Sequence, residues 1–139
     1  MRSLIAATLV AWTASAAAYD PIVLERGWYR VDRFTDGTCL GEVGSNGQFY
    51  VITVAGLEPG EEARLLLSNG DMPPIDRVVR ADFGGRWRDY YIPFRPNRGE
   101  GDLVTLTVRG ESCLVPLSFT WHRKKGWEER PPLPGGRGR

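Results

Sequence analysis

Residues 102–121, DLVTLTVRGESCLVPLSFTW, carry the clearest secondary-structure signal in the chain. Apolar residues alternate with mostly polar ones in two runs: Val104, Leu106 and Val108, then Cys113, Val115, Leu117, Phe119 and Trp121. A period of two residues places one side of each strand in a core. The short Gly110-Glu111 connection predicts an antiparallel hairpin, and Pro116 indicates an edge strand or a bulge.

Five further runs of β-forming residues precede this hairpin, and turn residues such as Asn69-Gly70 separate them. They cover residues 28–34, 48–55, 63–68, 76–83 and 86–94. Seven short runs, with turns about every 8–12 residues, are typical of an all-β sandwich or barrel. A length of 139 residues suits one domain.

The N-terminus has the pattern of a secretory signal peptide. Arg2 precedes a short apolar run, and small residues end in Ala16-Ala17-Ala18. This pattern predicts cleavage before Tyr19 and a periplasmic or extracellular location. The apolar run is far shorter than the ~20 residues needed to span a bilayer, so we expect no membrane span.

Charge divides the remaining chain into a domain at residues 19–122 and a tail at residues 123–139. The domain carries 11 basic and 15 acidic residues, whereas the tail carries 6 basic and 2 acidic residues. No strongly basic domain surface is implied, so nucleic acid is not an expected partner. The tail is rich in Pro and Gly, which predicts disorder and at most weak contact with anionic surfaces.

Cys39 and Cys113 are the two cysteines of the chain. In an oxidising compartment such a pair predicts a disulfide, with two free thiols as the alternative. The bridge would constrain the unfolded chain by about 4 kcal/mol in the chain-entropy treatment. A metal or redox site would need a Cys-x-x-Cys motif or added histidine ligands, so no metal or other cofactor is expected.

Three short segments resemble the immunoglobulin-like β-sandwich modules of secreted and surface bacterial proteins. They are ITVAGLEPGE at residues 52–61, LLLS at residues 65–68 and ADFGGRW at residues 81–87. The resemblance covers about residues 48–121 and implies an immunoglobulin-like antiparallel β-sandwich of about seven strands. It also implies a stalk, spacer or binding role without shared catalytic residues. The Cys39–Cys113 pair departs from the family pattern, which indicates an added strand or another topology.

Catalytic chemistry has little support in the sequence. The single histidine, His122, is four residues from Ser118, a separation of about 13 Å along a strand, whereas a triad needs direct contact. Most acidic residues fall in turns, where they serve the backbone or face water. We therefore expect no enzyme activity.

The segment GGRWRDYYIPFRPNRG, residues 84–99, is the best candidate for a binding surface. Strand alternation separates Trp87, Asp89 and Tyr91 from Arg88, Tyr90, Ile92 and Phe94. With the latter set facing the core, Trp87 and Tyr91 would form an outer contact patch with Arg86 and Arg88. Trp, Tyr and Arg are enriched at interface hot spots. The alternative is that these rings are core residues, since large apolar side chains are usually buried.

The sequence thus predicts a secreted or periplasmic, non-enzymatic binding or structural module of the cell envelope. Its partner would be a protein or polymer component of the envelope. Two alternatives remain open: a small periplasmic inhibitor of an extracellular enzyme, and a β-sandwich hydrolase acting on envelope polymers.

Overall fold

The computed structural model describes residues 26–126, which form eight strands and no helix. The strands are β1 (Tyr29–Asp36), β2 (Cys39–Ser45), β3 (Tyr50–Ala55), β4 (Glu62–Asn69), β5 (Ile75–Arg80), β6 (Trp87–Tyr91), β7 (Gly101–Arg109) and β8 (Leu114–His122). Sheet I has the order β1-β2-β3-β6 and sheet II the order β5-β4-β7-β8, with all neighbours antiparallel. The predicted all-β class is confirmed, with eight strands in place of seven.

Parts of the sequence interpretation fall outside these residues. The predicted signal peptide, residues 1–18, and residues 127–139 of the predicted tail lie beyond the described range. Within that range, no helix is long and apolar enough to cross a membrane. Arg123, the first residue of the predicted tail, donates hydrogen bonds to backbone carbonyls of Phe94 and Gly99. The folded part of the chain therefore extends at least one residue past His122.

The predicted hairpin of β7 and β8 is confirmed and supplies the centre of the core. In its register Val104 faces Phe119 and Leu106 faces Leu117. All eight alternating apolar residues of the two runs are buried between the sheets. Full burial of each large apolar side chain contributes roughly 1.5–3 kcal/mol, which makes this hairpin a major source of stability. Pro116 does lie on an edge strand, as its missing N–H predicts.

Strand β2, CLGEVGS, was missed because it lacks an alternating apolar pattern. Gly41 allows close approach to the opposite sheet. A Cβ atom on Gly41 would lie 2.2 Å from Cγ1 of Val115 and 3.1 Å from Cδ1 of Leu117. The first distance is too short for a real Cβ atom, and the second is unusually tight. A glycine is therefore needed where β8 passes over β2.

The predicted disulfide is confirmed at the same side of the sandwich. Cys39 begins β2 and Cys113 immediately precedes β8, with 6.2 Å between their Cα atoms. The bridge therefore joins the two sheets covalently. It links residues 74 positions apart in sequence.

Side chains of β1 cover the free edge of β8. The carboxylate of Asp36 accepts a hydrogen bond from the backbone N–H of Leu114 at 2.8 Å, and that of Asp32 accepts one from Ser118 at 2.9 Å. Pro116, midway between them, has no N–H to satisfy. These contacts satisfy two of the edge donors that would otherwise favour pairing with other chains.

We expect Gly41→Ala to destabilise the fold by about 1–3 kcal/mol, because its methyl group overpacks the contact with Val115. Urea unfolding of Gly41→Ala, Val115→Ala and the double variant measures this directly. The Gly41 change should cost less in the Val115→Ala background, where space has been made. Equal costs in the two backgrounds would contradict the proposed steric cause.

Removing the disulfide with Cys39→Ala/Cys113→Ala should lower the free energy of unfolding by about 2–5 kcal/mol, because the unfolded chain loses a long-range constraint. Chemical denaturation of the oxidised wild type and of the variant gives the difference. Reduced wild type should behave like the variant. A variant as stable as the oxidised protein would show that packing alone holds β2 against β8.

Candidate functional site

Strand β6 presents its alternate residues to two different environments. Trp87, Asp89 and Tyr91 face the space between the sheets, whereas Arg88 and Tyr90 lie on the outer face of sheet I. Trp87 is only 9% exposed, and Tyr90 is 50% exposed. The predicted outward placement of Trp87 and Tyr91 is therefore wrong.

The prediction was wrong because it extended the alternation of β6 as far as Phe94. β6 stops at Tyr91, and the chain then turns, with the N–H of Arg95 donating to the carbonyl of Ile92 at 3.2 Å. Phe94 is buried from this turn and does not continue the alternation of the strand. Its burial therefore gives no information on which side of β6 faces the core.

Trp87 and Tyr91 instead line a cavity of about 290 Å³ between the facing edges of β5 and β6, termed here the edge cleft. Its lining residues come from four strands: Ile52, Leu65, Leu67, Ile75, Arg77, Trp87, Asp89, Tyr90 and Tyr91. Of the four predicted contact residues, the structure brings Trp87 and Tyr91 together here. Arg86, which precedes β6, and Arg88, on the outer face, do not line the cleft.

An ion pair between Arg77 of β5 and Asp89 of β6 bridges the two edges of the cleft. Both side chains occupy interior-facing positions on edge strands, yet each remains about half exposed. Exposed pairs of this kind contribute roughly 0–1 kcal/mol. The bridge can therefore open at little energetic cost.

The hydroxyl of Tyr91 is fixed by a buried amide. Asn69, fully buried on β4, donates from Nδ2 to the Tyr91 hydroxyl at 2.9 Å. Its Oδ1 accepts from Nε1 of Trp121 at 2.9 Å and from Nδ2 of Asn97 at 3.0 Å. Burial raises the pKa of the Tyr91 phenol, while the bond from Asn69 opposes that rise. Tyr91 is therefore uncharged near neutral pH, and the cleft wall that it forms is neutral.

The outer face of sheet I holds a carboxylate that the sequence did not reveal. Glu42 of β2 has a side chain only 2% exposed, and Thr53 beside it on β3 is also buried. Neither Glu42 oxygen, nor the Thr53 hydroxyl, makes a hydrogen bond with a described residue. Glu42 lies between Gly41 and Val43 in a strand without apolar alternation, so no local sequence pattern indicated its burial.

Residues 26–126 contain no group of three or more His, Cys, Asp or Glu side chains placed to hold a metal ion. His122 is exposed at the end of β8. The edge cleft is a feature of this range that is open to ligand contact.

No protein-family model and no curated protein matches the chain. Among solved structures, the chain is similar to the crystal structure of the bromine derivative of BhCBM56, a carbohydrate-binding module. The sequences are 17% identical, and the match covers 66% of this chain and 99% of the other, with a TM-score of 0.44. At this TM-score the match supports no inference about ligand or activity.

Stability should fall in alkaline solution because burial raises the pKa of both Tyr50 and Tyr91 above the ordinary 10.0. The folded state then holds these protons more tightly than the unfolded state. Their contribution is fully present below pH 10.0 and is lost as the pH rises through the folded-state pKa values.

Thermal unfolding between pH 8 and 11.5 tests this expectation. Tyr50→Phe/Tyr91→Phe should show a shallower alkaline loss of Tm than wild type. Equal slopes for wild type and the double variant would show that Tyr50 and Tyr91 do not cause the alkaline loss of stability.

Proposed function

We propose that this chain is a secreted or periplasmic, non-enzymatic binding module of the cell envelope that binds a protein partner in the edge cleft. The observation that carries the proposal is the apolar cleft between β5 and β6. Trp87 and Tyr91 are its binding residues. Arg86 and Arg88 lie outside the cleft and take a peripheral part in the contact.

The connectivity supports an immunoglobulin-like sandwich as part of this proposal. With β2 taken as the first strand, the pairings β2-β3-β6 and β4-β7-β8 correspond to the A-B-E and C-F-G pairings of that fold. β5 then lies beside β4, in the position of an additional C′ strand. β1 is an extra strand paired with β2, and the disulfide lies next to this addition.

The disulfide supports the proposed location. Disulfides form and persist in oxidising compartments and are rare in the cytosol. The Cys39–Cys113 bridge joins the two sheets. It therefore agrees with the secretory signal that residues 1–18 predict.

The chemistry of the cleft favours one large apolar side chain of a polypeptide. Its walls include Ile52, Leu65 and Trp87, and its volume is near the lower limit of about 300 Å³ for small-molecule pockets. β5 and β6 each pair with a single neighbouring strand, so both present an edge beside the cleft. An extended polypeptide can lie along such an edge while a side chain enters an adjoining pocket.

Ile75→Trp should abolish partner binding, because the larger ring occupies the cleft that Ile75 lines. Val78→Trp is the matched control, since Val78 lies on the same strand but is 64% exposed on the outer face of sheet II. Co-purification of the oxidised protein with envelope fractions should recover a partner with wild type and Val78→Trp. Recovery should fall at least tenfold with Ile75→Trp.

The comparison requires equal thermal stability of the two variants. Equal recovery with Ile75→Trp and Val78→Trp would contradict the cleft as the binding site. Failure of the wild-type protein to retain any envelope protein would contradict the proposed function itself.

A further inference from the structure

Strand β5 is an edge strand that carries an acid, an apolar residue and a base in order on its outer face. Asp76, Val78 and Arg80 are all exposed on the outer face of sheet II. Val78 is 64% exposed, a large fraction for an apolar residue in the middle of a strand. In the part of the chain that the structure describes, β5 pairs only with β4. It therefore combines an open backbone edge with an exposed apolar centre.

This order of side chains is self-complementary when two copies of β5 run antiparallel. With the two Val78 residues opposite each other, a two-fold axis places Asp76 of each copy opposite Arg80 of the other. Opposite charges at facing positions stabilise a strand pair, and like charges destabilise it. A register shifted by two residues would instead place Arg77 opposite Arg77, or Asp76 opposite Asp82. Charge therefore selects the register centred on Val78.

The ion pairs that Asp76 and Arg80 already make leave capacity for these contacts. Asp76 accepts from Nε of Arg64 at 2.8 Å and from Nη2 at 2.7 Å, and Arg80 donates from Nη2 to Glu62 at 2.6 Å. A carboxylate accepts about four hydrogen bonds, and a guanidinium donates about five. The side chains of Asp76 and Arg80 are 43% and 67% exposed. Each can therefore contact a second copy without losing its own partner.

An exposed aromatic ring extends the same surface. Phe83 follows β5 and is 98% exposed. Pro73 and Pro74 precede β5 and are also exposed. Continued beyond the strand, the register centred on Val78 brings the loop that holds Phe83 beside these prolines of the second copy. Apolar contacts are thus available at both ends of the interface as well as at its centre.

From these features we infer that two copies of this chain associate through β5, which joins their two copies of sheet II into one continuous antiparallel sheet. Arg77, which points inward from β5, faces Val79 of the second copy and keeps Asp89 as its partner. No charge at the sandwich opening therefore loses its counterion. β6, the other edge beside the cleft, remains for the protein partner proposed above. The inference does not rest on that proposed function, because binding in the edge cleft does not require self-association.

Sedimentation velocity of the purified oxidised protein over a dilution series measures the dissociation constant of the dimer. A low-salt buffer is used because salt screens exposed charges. We expect wild type to form a concentration-dependent dimer. Asp76→Arg should weaken it about tenfold, because like charges then face each other at two symmetric positions. Phe83→Ala should also weaken the dimer, and its Tm should stay unchanged because the ring is exposed.

The charge-exchanged variant Asp76→Arg/Arg80→Asp separates contacts between copies from contacts within one copy. Across the interface the exchange restores opposite charges, so the dissociation constant should return close to the wild-type value. Within each copy it places like charges beside Arg64 and Glu62, so intramolecular repulsion is greater than in the single variant. Restored association therefore cannot come from effects within one copy. These exposed pairs contribute little to stability, so the variants should remain folded, which Tm checks.

Glu111→Arg is the matched control, because it makes the same change of net charge at an exposed turn between β7 and β8. It should dimerise like wild type. Wild type that stays monomeric at every concentration, a charge-exchanged variant no better than Asp76→Arg, or an equal loss with Glu111→Arg would each overturn the inference. The comparison of Ile75→Trp with Val78→Trp tests the edge cleft separately, so the two hypotheses can fail independently.

Discussion

The two sheets are held together where β8 passes over Gly41 of β2. The absence of a side chain at Gly41 lets Val115 and Leu117 reach the interior face of β2. The disulfide adjoins this contact at the start of β2, and Asp32 and Asp36 of β1 bind the free edge of β8. Steric fit, a covalent bond and backbone hydrogen bonds therefore act at the same side of the sandwich.

The contacts of β1 and β2 with β8 close one side of the sandwich. At the opposite side, the edge strands β5 and β6 face each other across the edge cleft. There Arg77 and Asp89 point inward from edge strands, a placement that also discourages pairing with other chains. The same pair bridges the edge cleft, so protection of the edges and access to the cleft depend on one weak ion pair. An occupant of the cleft has to displace or accommodate this pair, whereas the apolar walls behind it are already formed.

Alternation in the sequence predicted those parts of the fold in which local pattern and burial agree. The β7–β8 hairpin was identified with its buried face because Val104, Leu106 and Val108 repeat at a period of two. β2 was missed because a strand that carries Gly41 and Glu42 depends on contacts with β8, which local sequence does not show.

The candidate site was only partly predictable for the same reason. Alternation separated Trp87 and Tyr91 from Arg88 and Tyr90, but alternation alone does not show which pair faces the core. That choice required knowledge of where β6 ends. Glu42 became visible only through registers that join β1, β2, β3 and β6, since these strands bring residues distant in sequence into one row.

One side of strand β6 faces the edge cleft, and the other side lies on the outer face of sheet I. Substitutions on the two sides therefore test different properties of the protein. Trp87 belongs to the core as well as to the edge cleft, so its removal changes folding and binding together. Tyr90, on the exposed side of the strand, is far less involved in the core and reports on surface contact more directly. Because a period of two puts neighbouring residues on opposite sides, the residues that were predicted to form one contact patch lie on two sides of the strand. Trp87 and Tyr91 are part of the scaffold on one side of the strand, and Tyr90 is exposed on the other.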